Sequence, residues 1–443
     1  MSWSKTHNFG HGLLTRSPWT TRTGPARGRD ELIGRFGVTV RRASTGRPGK
    51  SLMPIGLRGV GKTVLLNRFA DIARHEGQQV AFIEAPETGD FRTLLAVRLR
   101  KVLLEFDRGG AARAVLRAMQ ILKTFSLQLP DGSAIAIDVD ALAGQADSGL
   151  LSEDLTDLLV GVGQAAAEKR SGLLLAIDEV QYLSEIELGA LITAVHRTTQ
   201  LNLPIVLVGA GPPQLPGMAG DAKSYAERLF DFPEIGSLTD DQARSVLSIP
   251  AEEQGVSYEG DALDAIVTAT HGYPYFLQEW GYHVWNHAPA TVINHDDVVS
   301  VAPVVVDQLD RNFFLVRFDR LTPKEKEYLR AMAELGPGPH RSGDIAAQLK
   351  VKVESVAPRR SGLIVKGMIY SPTHGDTAFT VPLFDEYLRR AMPSWNGAGR
   401  VRPGVARTGA SGGGPAPAPP RRGRSVPRRP GGRFGLPWRG RRP

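Results

Sequence analysis

The feature that most narrows what this chain can fold into is residues 51–69, SLMPIGLRGVGKTVLLNRF, where a short apolar run enters a glycine-rich loop and leaves as a helix of apolar period. The loop, Gly56-Leu57-Arg58-Gly59-Val60-Gly61-Lys62-Thr63, has the spacing G-x-x-x-x-G-K-[ST] with the strand before it and the helix after it that this motif requires. Gly56, Gly59 and Gly61 permit backbone angles closed to other residues, so the N–H groups from Gly56 through Arg58, Val60 and Val64 can turn inward as a cage for phosphate. Lys62 would reach the β- and γ-phosphates as a point charge, and the Thr63 hydroxyl would give one oxygen to an octahedral Mg2+.

A second stretch answers the first. Residues 172–181, GLLLAIDEVQ, read as a central parallel strand that delivers two carboxylates at its C-terminal end. Asp178 is the expected metal-holding acid, and Glu179 the expected base for an attacking water. A third apolar run, 203–208, ends in Gly209-Ala210-Gly211, which offers only backbone groups to the site and predicts slow or conditional hydrolysis.

At 443 residues the chain exceeds one compact core. We expect a flexible leader over 1–27, an α/β P-loop domain over 28–235, a helical lid over 236–318, a winged helix-turn-helix over 319–393 and a tail over 394–443. No cysteine is present, which excludes disulfides and thiolate chemistry. No apolar run reaches 18 residues, so the expectation is a cytoplasmic protein without a membrane partner.

Charge is unevenly distributed. The formal +8 hides a tail with twelve arginines and no acid, a leader of +4, residues 321–393 at +3, and about −11 over 28–320. Affinity for a polyanion therefore belongs to the two ends, and the Pro/Gly/Arg tail reads as a non-specific tether.

Within the first domain, residues 125–129 and 134–139 alternate around Pro130-Asp131-Gly132 and predict a β-hairpin. Gly272-Tyr273-Pro274 opens a helix in the lid, where Trp280, Tyr282 and Trp285 read as core. Thr322-Pro323-Lys324-Glu325 is a capped helix start, followed by two more helices and strands bracketing His374-Gly375-Asp376. Three helices plus a hairpin is the winged-helix plan, with Arg359, Arg360 and Lys366 on or beside its third helix and His374 at the wing tip. Such a module contacts DNA or docks on the nucleotide domain; the residues leave both open.

With the phosphate loop, IDEVQ and GYPYFLQ in that order, the chain resembles AAA-type ATPases related to origin-recognition replication initiators and to STAND signalling ATPases. The resemblance implies an ATP/ADP- and Mg2+-dependent ATPase, a possible homo-oligomer, and either DNA or an unknown protein as output partner. It places Gly28-Arg29-Asp30 near adenine, Gly272 and Pro274 at the base or ribose, and Arg228 as the arginine that reaches a neighbour's γ-phosphate. Two departures, the apolar strand end at 209–211 and the lack of an arginine in the lid motif, point to a nucleotide-controlled switch.

Overall fold

The computed structural model describes residues 28–47, 49–108, 112–129, 137–373 and 375–395. The apolar runs read from the sequence form one parallel sheet of β1 (Ser51–Leu52), β2 (Gln79–Glu84), β3 (Leu173–Asp178), β4 (Ile205–Gly209) and β5 (Phe230–Asp231), in the order β2-β3-β4-β1-β5. Alternation along β3 sends Leu174 and Ala176 to one core and Leu173, Leu175 and Ile177 to another, so both faces must be covered.

One face is covered by α1 (Asp30–Ser44) and α2 (Lys62–His75), whose Phe36 and Phe69 stack with ring centroids 4.2 Å apart. On the other lie α3 (Phe91–Arg108), α4 (Arg113–Leu127), α5 (Leu151–Glu168), α6 (Glu185–Gln200) and α7 (Leu215–Ala222); the short α8 (Ala226–Leu229) then leads into β5. Because β4 lies between β1 and β3, the phosphate loop and Asp178 leave the same sheet edge two strands apart.

The expected hairpin does not form on the described residues. α4 runs on through Leu127, because Val115, Ala118, Leu122 and Phe125 keep one buried helical stripe. The apparent two-residue alternation at 125–127 is the end of that stripe. Residues 137–139 carry no strand, and the turn at 130–136 lies outside the described residues.

Beyond the sheet, α9 (Asp240–Glu252), the strand β6 (Ser257–Tyr258), α10 (Gly260–Thr270), α11 (Pro274–His287), the strand β7 (Val292–Ile293) and α12 (His295–Leu309) build the helical layer. Thr239 and Asn294 each close a capping box at a helix start. As expected, Trp280 is buried, with Tyr282 and Trp285 packed against the same core. α12 passes through a π-turn, Asp310–Leu315, into α13 (Val316–Phe318).

The C-terminal part holds α14 (Pro323–Leu335), β8 (His340–Arg341), α15 (Ser342–Leu349), α16 (Ala357–Val365), β9 (Ile369–Tyr370), β10 (Asp376–Phe379) and α17 (Phe384–Ala391). Its sheet is antiparallel, β8-β10-β9, one short strand more than the sequence predicts. Phe314 from the π-turn stacks on Tyr387 of α17 at 5.1 Å, so lid and C-terminal part share one apolar core. The leader, the tail beyond residue 395 and His374 lie outside the described residues. No helix among those described is long and apolar enough to cross a membrane.

Candidate nucleotide site

The loop after β1 has the geometry its glycines predict. Gly59 and Gly61 hold φ of +91° and +90°, and Gly61 is the N-cap of α2. A Cβ on Gly56 would lie 2.2 Å from the Ile235 carbonyl oxygen, so that position admits no side chain. Lys62 is 8% exposed and its Nζ donates to the Gly56 and Leu57 carbonyls at 2.9 and 3.0 Å. Burial pulls its ammonium below the usual range, while Glu179 and Asp178 pull the other way.

Thr63 and Asp178, 115 residues apart, meet directly: Thr63 Oγ1 donates to Asp178 Oδ2 at 2.6 Å. Asp178 is buried, which raises its carboxyl pKa, while hydrogen bonds from Thr63 and the Glu179 N–H act against that rise. Glu179 follows in the left-handed region at φ +52°, which turns its side chain off the strand end. Its carboxylate accepts from Gln181 Nε2 at 2.5 Å.

This donor set fits Mg2+. A small hard cation that keeps water and phosphate oxygens needs one or two protein oxygens, and a hydroxyl beside a buried carboxylate offers them. Among the described residues no group of three or more His, Asp or Glu could hold a metal without such help.

The two short motifs flanking the loop in sequence converge on Leu238. A Cβ on Gly28 would come within 3.0 Å of Leu238 and Gln242, and one on Gly272, at φ +64°, would lie 2.3 Å from the Leu238 carbonyl oxygen. Arg29 donates to the Gly236 carbonyl, and Leu238 N to Gly272 O at 2.9 Å. Pro274 opens α11, and the buried Tyr273 donates its hydroxyl to the Arg58 carbonyl, tying the lid to the phosphate loop.

The sequence reading missed what closes the site. A cavity of about 560 Å³ is lined on one side by Gly56, Arg58, Lys62 and Glu179, and on the other by Arg317, Arg320 and Lys366. Arg317 lies over the Phe313 ring, its Cζ 3.9 Å from the centroid, and donates to the Phe313 carbonyl. Burial lowers its guanidinium pKa and nearby Arg58 lowers it further. The signal was present as RNFFLVRFDR, in which arginines recur among aromatics, but nothing in that string shows which way they face.

The three cations expected on the third C-terminal helix have different fates. Arg360 is spent on the strand pair, donating to Thr377 Oγ1, Ser371 Oγ and Asp376 O at 2.8–2.9 Å. Lys366 faces the cavity, paired with Glu325 at 2.7 Å. Arg359 is half-buried. Arg228 stands exposed on α8, outside the cavity lining.

With this geometry in place, residues 25–208 match the family described as "AAA ATPase domain". Over those residues the chain is similar to this family. Residues 311–388 match a second family, described as a domain of unknown function (DUF8462). Similar solved structures include the RuvB Holliday junction branch migration motor of Thermotoga maritima, at 16% identity and TM-score 0.42, covering 82% of this chain and 95% of that one. The Orc1 protein of Aeropyrum pernix in complex with DNA is similar at 20% identity and TM-score 0.41, covering 85% and 96%. Cdc6p from Pyrobaculum aerophilum is similar at 14% and 0.41, covering 85% and 97%. No curated protein matches the chain. The parallel sheet and phosphate loop are those of an α/β P-loop NTPase of the AAA type.

Proposed function

We propose that this protein is an ATP-controlled switch with slow or partner-dependent hydrolysis, in which the state of the phosphate site sets the position of the C-terminal domain. The observation that carries the reading is the shared cavity: phosphate-loop residues and the cations Arg317, Arg320 and Lys366 line the same space. Arg58, Arg317 and Arg320 repel one another there, and a triphosphate is the anion that would relieve all three.

In this reading the loop N–H groups and Lys62 bind the phosphates, with Lys62 giving up its two carbonyl partners to do so. Thr63 and Asp178 would hold Mg2+, whose charge offsets that developing on the phosphates. Glu179 takes a proton from the attacking water. Gly28-Arg29-Asp30 and Gly272-Tyr273-Pro274, joined through Leu238, form the wall for the base.

The output partner has two readings. DNA association rests on Arg359 and on the arginine-rich tail. A STAND-like switch with a protein partner is favoured by a specific observation: Lys366 and the end of α16 turn toward the phosphate loop, and Arg360 is consumed inside its own sheet. A homo-oligomer, in which Arg228 serves a neighbouring copy, accords with the exposure of that residue on α8.

The test is equilibrium binding of a fluorescent ATP analogue with Mg2+. Lys62→Ala should weaken it by about a hundredfold or more, whereas Glu179→Gln should keep binding and stop turnover. Equal affinity in wild type and Lys62→Ala would refute the site.

A further inference from the structure

We infer that Gln181 is a positioning residue for hydrolysis: its amide nitrogen aims the Glu179 carboxylate, and its amide oxygen accepts a hydrogen bond from the attacking water. This rests on the reading of Glu179 as the base. It also supplies the polar group that the end of β4 lacks.

A side chain at Gly209 or Gly211 would crowd the side chains already packed there. A Cβ on Gly209 would lie 2.5 Å from Met53 Sδ and 2.8 Å from Val180 Cγ2. One on Gly211 would lie 3.0 Å from Leu215 Cδ2 and 3.3 Å from Gln181 Oε1, so the volume a side chain there would need is the volume beside Gln181. The missing group and Gln181 compete for one place.

Gln181 is held for the task from both sides. It sits in the single turn Val180–Tyr182, whose Val180 N–H donates to the Ala210 carbonyl at 2.9 Å and whose Tyr182 hydroxyl donates to Glu87 at 2.7 Å. Its Nε2 makes the one hydrogen bond that the Glu179 carboxylate receives among the described residues. A carboxylate accepts and does not donate, so this contact fixes which end of the amide is nitrogen.

The other end is then unsatisfied. Gln181 Oε1 is buried and accepts from no described residue, although Gln181 lines the cavity. An unpartnered acceptor facing this cavity is free to take a hydrogen from a water there. A water between Glu179 and Gln181 has two hydrogens for two acceptors. In the step, its oxygen forms the new bond to the γ-phosphorus, one proton passes to Glu179, and the bond to the bridging oxygen breaks with its electron pair left on ADP. The second hydrogen stays bonded to the water oxygen and donates a hydrogen bond to Gln181 Oε1, which orients the attack.

Two variants of the full chain test this. Gln181→Ala removes donor and acceptor; Gln181→Glu keeps shape and acceptor but replaces the donor with a charge of the same sign as Glu179. Both should lower kcat by about tenfold to a hundredfold, with KM for ATP and affinity for the fluorescent analogue within about twofold of wild type. A packing role alone would change the melting temperature and spare kcat, most clearly in Gln181→Glu. A kcat within twofold of wild type in either variant, with analogue binding showing the protein folded, overturns the inference. So does a wild type that binds ATP and never turns over, which leaves the nucleotide-binding reading standing; loss of binding in wild type sinks that reading instead.

Discussion

At the scale of single residues, the site depends on glycines whose neighbours are backbone rather than movable side chains. Gly56 and Gly272 would each drive a Cβ into a carbonyl oxygen, at 2.2 and 2.3 Å, and Gly272 also holds a positive φ. Gly56→Ala and Gly272→Ala should therefore each cost about 2–3 kcal/mol, read as a fall in melting temperature, whereas Gly77→Ala, with open space around it, should cost about 1 kcal/mol for its positive φ alone. Equal shifts at all three would show that the close contacts do not matter. The phosphate loop, Lys62, Thr63 and Asp178 were legible in the sequence because motif spacing fixes backbone geometry, and the 2.6 Å contact between Thr63 and Asp178 agrees with it. The left-handed turn at Glu179 and the role of Gln181 were not legible, since both depend on β4 lying alongside with no side chain to spare.

Among the elements, the telling one is α16 with the turn into β9. The sequence leaves its basic residues open to DNA or to docking; packing takes up Arg360 and Lys366. Glu325, the N3 residue of the α14 cap, is 7% exposed and accepts from Lys366. Burial alone would raise its carboxyl pKa, yet the hydrogen bonds from Lys366 and Thr322 win and hold it below the usual value. A depressed folded-state value means that the clasp contributes fully above the unfolded glutamate pKa of about 4.3 and is lost as pH falls through the lower folded value. Stability measured by denaturant titration should thus fall with acid below about pH 4.5 in wild type and be flatter there in Glu325→Gln. Lys366→Ala should cost about 1–2 kcal/mol at neutral pH, since the lysine is half-exposed, and should loosen the C-terminal domain over the cavity. The hairpin misreading is of the same kind. Three residues at the end of a buried helical stripe mimic a strand's alternation, and tertiary contact with α5 decides between them.

Across the full fold, aromatic contacts run without a break from the phosphate loop to its far end. Tyr273 bonds the Arg58 carbonyl and meets Phe276; Tyr275 stacks on Phe313 at 4.6 Å; Phe314 stacks on Tyr387. This continuity is what the order of motifs could not reveal, because residues 287–318, expected only as part of the helical lid, carry no motif. It also makes the switch testable. ATP with Mg2+ should change hydrogen exchange in α16 and β9, and Arg317→Ala should abolish that change while leaving a folded protein; identical exchange with and without nucleotide would remove the coupling. Duplex DNA binding across a salt series, with and without residues 394–443, separates the two output readings. A salt-steep affinity that vanishes with the tail, in both nucleotide states, leaves the C-terminal domain to a protein partner.

The π-turn Asp310–Leu315 gives that coupling a definite step size. A π-turn stores one residue more than an α-turn, and pushing the surplus past Arg317 would wind the residues it passes forward by about 100° and 1.5 Å. Arg317 would swing away from the phosphates in one click while Phe313, upstream of the slip, stayed in place. A helix holding a spare residue is thus a two-position detent, and the grip of a triphosphate on one arginine is what would keep it cocked.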